Sequence, residues 1–223
     1  MRTEFKLGAA FVAGAILTAA FAAIAGDLNP PTGPVAPTFK TIEETPLSKP
    51  VGDRFTPGDA TAFAVIDEPG RYHLTGNIST PSDVDGIRIE ADGVILDLNG
   101  FAIQSVGGSA DGITDDGAVR QRIRIHDGEV SGFSFGVNLG SSFYCSVERV
   151  VAVSNGLIGV DAGTSAVVRD VHAGNNSAVG IRAGDLARIE ACVATGNDTG
   201  IRVGVGGVVR HNAIDDTTGI GIA

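Results

Sequence analysis

IGVDAGTSAVVRDVHAGNNSAVGIRAGDLARIEACVATGNDTGIRV, residues 158–203, is the stretch that decides the fold. Within it a Gly-[Ile/Val] step stands at Gly159-Val160, Gly180-Ile181 and Gly200-Ile201. Outward from there the step recurs at Gly86-Ile87, Gly112-Ile113, Gly136-Val137 and Gly219-Ile220, seven in all. The intervals shrink smoothly: 26, 24, 23, 21, 20 and 19 residues. A period near 20, with short apolar strands and Gly-rich corners, predicts one coil of a parallel β-solenoid per repeat.

Other columns keep the same register. Val147, Val168, Ile189 and Val209 recur together, as do Val150, Val171, Cys192 and Asn212, and Ala152, Ala173, Ala194 and Ile214. Ile103 and Val130 join the last set from earlier coils. Residues i and i+2 of a strand share a face, so these side chains are expected to stack inside the coil. Glu148, Arg169, Glu190 and Arg210 form a charge column, and Asp127, Arg149 and Asp170 its neighbour. With coils about 4.8 Å apart, charges of alternating sign would face each other along both. Asn155, Asn176 and Asn197 predict an asparagine ladder bonded up the stack.

Composition agrees with a thin, regular core. The chain is 43% hydrophobic, carries 32 glycines and no Trp, and has a net charge of −10. That mixture excludes a disordered acidic chain and argues against nucleic acid as a partner, because phosphate binding needs a basic surface. Cys145 and Cys192 are expected to remain unpaired: two coils separate them by about 9–10 Å, beyond the reach of a disulfide.

Before the repeats, Arg2 and Lys6 precede an uncharged, Ala-rich stretch from Leu7 to Ala25. Ala23-Ile24-Ala25 is an A-x-A site, so residues 1–25 read as a signal peptide cleaved before Gly26. An uncleaved anchor is the alternative, and the only expected membrane contact. Either reading exports the protein to periplasm, cell surface or medium. Residues 26–58 hold seven of the nine prolines and read as an extended linker. None follows Pro81, which suits a continuous stack of paired strands. The fold class expected for residues 59–223 is all-β: a single-stranded right-handed parallel β-helix of about six coils. Within it, residues 59–84 are expected to cap the open end and enter the first coil. The chain stops at Ala223, partway into a coil. Either the repeat continues past this sequence or the last coil pairs with another chain, and the first is preferred.

Pro69-Gly70-Arg71-Tyr72-His73-Leu74-Thr75-Gly76-Asn77-Ile78, with Asp92-Gly93-Val94-Ile95-Leu96-Asp97-Leu98-Asn99-Gly100-Phe101, resembles a known opening. It is similar to that of exported bacterial right-handed parallel β-helix repeat proteins of the pectin-lyase-like superfamily. The resemblance runs from about Phe39 to the C-terminus. It implies the fold but no single activity, since lyases, hydrolases, epimerases and adhesins share it.

Enzymes of that superfamily work in a groove on the outward face of a strand. The matching column here is Arg88, Thr114, Asn138, Asp161, Arg182 and Arg202, one after each Gly-[Ile/Val]. Asn138, Asp161, Arg182 and Arg202 are the candidate binding residues. Two stacked arginines could bind the carboxylates of an acidic polysaccharide, with Asp161 orienting them or holding a cation. Against this, Asp161–Arg182 reads equally as one more cross-coil ion pair. A lyase would need several carboxylates around Ca²⁺, and the column offers one. Polygalacturonase-like enzymes carry Gly-His-Gly, which is absent, and Asp115-Asp116 and Asp215-Asp216 match only their Asp-Asp element. Asp115 also falls on an inward position. His73, His126, His172 and His211 are read into different columns, with no metal site. Phe133, Phe135, Phe143 and Tyr144 gather near one corner, where packing over the core outweighs sugar stacking.

The sequence therefore predicts an exported, non-catalytic β-helix protein with a polysaccharide-binding face and no cofactor. The alternatives are a carbohydrate-active enzyme, a Ca²⁺-dependent lyase before a hydrolase, and a structural or adhesive spacer.

Overall fold

The computed structural model describes residues 47–106 and 108–223; the leader, and the linker as far as residue 46, lie outside the described residues. Among these every element is a strand and every strand pairing is parallel. The strands stack as a β-solenoid of about eight turns.

One sheet has seven strands whose spatial order is their chain order: Ala62–Ile66, Asp85–Ile89, Ile113–Thr114, Phe135–Phe143, Ile158–Thr164, Val179–Ala183 and Thr199–Val203. The remaining faces of each coil belong to a thirteen-stranded sheet. Three inward columns fill the core. Ala64, Ile87, Ile113, Val137, Val160, Ile181 and Ile201 are register partners along the first sheet. Tyr72, Leu96, Ile125, Val147, Val168, Ile189 and Val209 form the second column. Ile78, Ile103, Val130, Ala152, Ala173, Ala194 and Ile214 form the third. Along that third column Ile and Val give way to Ala, while Leu139 of the first sheet gives way to Ala162 and Ala183. Smaller core residues close a smaller perimeter, in keeping with a register interval that falls from 26 residues between Ile87 and Ile113 to 20 between Ile181 and Ile201.

Two counts differ from expectation. The solenoid has about eight turns rather than six; residues 59–84, read as cap and entry, wind one of the additional coils. Phe63-Ala64 replaces the Gly-Ile step there, with Ala64 pairing Ile87. Lys49–Pro50, inside the stretch read as linker, adds a strand beside Tyr72 and His73. At the other end Ile201 pairs with Ile222, so the seventh step is Gly221-Ile222 and not Gly219-Ile220.

The glycines of the step answer a steric demand. A Cβ on Gly86, Gly112, Gly136, Gly159, Gly180 or Gly200 would come within 3 Å of the carbonyl oxygen of the corresponding glycine one coil on. On Gly136, Gly159 and Gly180 it would also strike the amide nitrogen of Asn155, Asn176 or Asn197. Those asparagines, each about 1% exposed, form the expected ladder. Asn155 Nδ2 donates to Asn176 Oδ1 and Asn176 Nδ2 to Asn197 Oδ1, both at 3.0 Å. Each amide also donates to a backbone carbonyl one coil back: Val130 at 3.4 Å, Ala152 at 3.1 Å and Ala173 at 2.9 Å.

Corners are made by left-handed residues. Asp127, Arg149, Asp170, Ala191 and His211, with φ between 51° and 63°, occupy one corner of successive coils; Tyr144, Ser165 and Leu186, with φ of 56–57°, occupy another. Leu186 is 66% exposed, so its side chain contributes little in return. An L-residue in this region costs about 1–2 kcal/mol, partly offset in glycine by chain entropy. Leu186→Gly should therefore raise stability by about 0.5–1 kcal/mol, read as a higher denaturation midpoint.

The charge column is in register, Glu148 with Arg169, Arg169 with Glu190 and Glu190 with Arg210. Arg169 Nη2 meets Glu148 Oε2 at 3.1 Å and Arg210 Nε meets Glu190 Oε2 at 2.6 Å. Arg169→Glu would stack three acids and should lower the melting temperature, an effect lessened by salt. An unchanged melting temperature would contradict the ladder. In the neighbouring column Arg149 grips Asp127 (2.5 and 3.0 Å), while Asp170 lies 3.9 Å from Arg169. Cys145 and Cys192 are free and buried, and burial pushes both thiols up to about 11, leaving them protonated near neutrality.

Candidate functional site

Parallel pairing sets Arg88, Thr114, Asn138, Asp161, Arg182 and Arg202 side by side on successive coils. The predicted column exists, but its members differ in what they can offer. Arg88 is occupied: Nε donates to Glu90 Oε1 (2.8 Å), Nη1 to Thr61 Oγ1 (2.7 Å), and Nη2 pairs with Asp59. Those acids hold its guanidinium well above the usual range. Thr114 is buried, and its hydroxyl accepts the Asp116 N–H at 2.9 Å.

Asn138, Asp161, Arg182 and Arg202 line one open groove of about 710 Å³. Asp161 is only 4% exposed and takes Arg182 with both oxygens: Arg182 Nε donates to Oδ1 at 2.9 Å and Nη2 to Oδ2. The hydrogen-bonded carboxylate holds the Arg182 guanidinium above its ordinary range. The guanidinium also lies 5.9 Å from the centre of the Phe135 ring. Gly140 makes room for this arrangement, since a Cβ there would run into Asp161 Oδ2. Asn138 Nδ2 donates to Asp111 Oδ2 at 2.7 Å. Arg202 is exposed and has no hydrogen-bond or ion-pair partner among the described residues. Of the three charged residues lining the groove, then, two cancel and Arg202 remains.

Gly140 was not anticipated, and Phe135, expected to pack at a corner, lines the groove instead. Gly140 lies where the register of Phe135–Phe143 against the next strand shifts, between Leu139 and Phe143, so constant spacing does not reach it. Phe135 is in register with Ile158, and its place beside Arg182 has no counterpart in the other described coils. Also unforeseen is the stacking of Asp85 and Asp111, whose Asp-Gly-Ile repeat was the available signal. The Asp111 N–H donates to Asp85 Oδ1 at 2.8 Å, and burial raises both carboxyls. Asp115 is indeed inward, 1% exposed, and accepts Ser142 Oγ (2.7 Å) and the Gly117 N–H (2.9 Å). Asp116, Asp215 and Asp216 are exposed, and neither Asp-Asp pair lines the groove.

The histidines need a correction. His73 and His126 share one column, each paired with Asp97, and this column continues into Glu148 and Arg169. His126 Nδ1 lies 2.7 Å from Asp127 Oδ2 and 3.6 Å from Asp97 Oδ1, so three ligand-type atoms lie within 4.8 Å of one another. Arg149 already bonds both Asp127 oxygens, which makes this the charge ladder turning a corner. Phe133 is core, and Phe143 and Tyr144 form a ring pair with centroids 6.5 Å apart.

Comparison of the chain with protein-family models, with curated proteins and with solved structures yields no match.

Proposed function

We propose that this chain is an exported, non-catalytic β-solenoid protein of the pectin-lyase-like kind, whose groove binds a polysaccharide. One observation carries the reading: Arg202, exposed and without a partner among the described residues, lines an open groove one rung from Arg182. A guanidinium free to form two parallel hydrogen bonds is suited to a carboxylate or sulfate, and Asn138 and Ser141 offer polar groups to sugar hydroxyls.

Binding is favoured over cleavage by the state of Asp161. Its two oxygens are spent on Arg182, so the groove's one carboxylate is poorly placed to hold Ca²⁺ or take a proton. The spacer reading has no use for an open groove with a free cation.

The test incubates the purified chain with acidic and neutral polysaccharides, with and without Ca²⁺, and follows retention, new reducing ends and absorbance of unsaturated products. Retention without products is expected, with Arg202→Gln weakening it by about tenfold. Growing absorbance on one polyuronate would replace this reading with the lyase. No retention by any polysaccharide would leave the spacer.

A further inference from the structure

The groove sheet is electrostatically lopsided, and that lopsidedness limits what the groove accepts. Its free cation sits on one rung only, at Arg202. One rung back, Arg182 is neutralised by Asp161, and the next rungs carry the uncharged Asn138 and Thr114. Beside those rungs Asp111 faces Asn138, with Asp85 stacked behind it. At the far end Arg88 is matched by both Asp59 and Glu90. The chain as a whole is at −10.

Resting on the binding reading above, we infer that the ligand carries a single carboxylate or sulfate at one end, seated on Arg202. Its uncharged, hydroxylated remainder then runs along the groove towards Asn138. Rungs are about 4.8 Å apart and the Debye length at physiological salt is about 8 Å. The next charges of a polyanion lying that way would fall on a closed ion pair and then approach Asp111. A neutral chain loses the Arg202 contact, whereas a polyanion keeps it and gains repulsion. The same arrangement selects by charge pattern, a discrimination that depends on repulsion as much as on attraction.

The experiment measures affinity of the full chain for oligosaccharides in matched sets. On each of several backbones it compares a neutral tetramer, one with a single terminal uronic acid, and one with uronic acid at every unit. The singly acidic member should bind about tenfold tighter than both others on at least one backbone, and that preference should shrink as salt rises. Arg202→Gln, at an exposed position that leaves the melting temperature unchanged, should reduce it to the level of the neutral member. If fully acidic members bind tightest, and lose affinity in Arg202→Gln, the inference falls while groove binding stands. If no set binds, or binding ignores Arg202→Gln, both fall together.

Discussion

Replacing Asn176 with alanine is expected to destabilise the solenoid by about 3–5 kcal/mol. Asn176 Oδ1 accepts the Asn155 backbone N–H at 3.1 Å and Asn155 Nδ2 at 3.0 Å. Its amide nitrogen donates to Ala152 O at 3.1 Å and Asn197 Oδ1 at 3.0 Å. Four hydrogen bonds vanish together, in a place about 1% exposed, where water cannot substitute for them. For a domain of this size the melting temperature should fall by roughly 10 °C. Ser177→Ala, at the exposed next residue, should move it by less than about 2 °C. Equal effects from the two would mean that the ladder does not hold the coils. Asn176→Asp adds a sign. Its carboxylate would face the Ala152 and Asn197 oxygens with no hydrogen to offer, so folding should raise that carboxyl's pKa. Stability of this variant should therefore improve as pH falls through the raised value and be lost as pH rises through it.

That ladder was legible because each asparagine bonds to its own copy one coil away, and the same holds for the step glycines and the Glu148–Arg210 column. A repeated contact leaves a repeated residue at a constant interval. Legibility failed where the contact stayed and the interval changed. His73, Asp97 and His126 are successive rungs, but 24 and 29 residues apart, because the connection between Ser105 and Ile123 is longer than its neighbours. The first coil was hidden for another reason. Phe63, 42% exposed, stands where later coils have glycine, so the column continues without its marker. In the groove the spacing gave the column of six and, as one of two readings, the Asp161–Arg182 pair; it did not decide between that pair and two arginines free to bind. Which arginine is spent depends on reach: Arg182 has an acid one rung behind, and Arg202 has Arg182 there. Gly140 shapes the site from the part of its strand where the register shifts, and no periodicity points to it.

Asp161→Ala separates the binding groove from an enzyme active site most sharply. The variant removes a carboxylate that is 5% exposed from a guanidinium that is 39% exposed. Breaking a fully buried pair costs about 3–5 kcal/mol; with the arginine tip reached by water, about 2 kcal/mol is expected here. Melting temperature should fall by roughly 4–8 °C. Binding should move the other way. Arg182, no longer clamped, becomes a second free cation one rung from Arg202, and affinity for a carboxylated ligand should rise about threefold to tenfold. In a lyase the same substitution would remove a cation ligand or a base and abolish turnover. The double variant Asp161→Ala, Arg202→Gln should then bind near the wild-type level, because one free guanidinium has replaced another. If Asp161→Ala instead weakens binding in a folded sample, Asp161 itself touches the ligand, and the groove's chemistry centres on that carboxylate and not on Arg202.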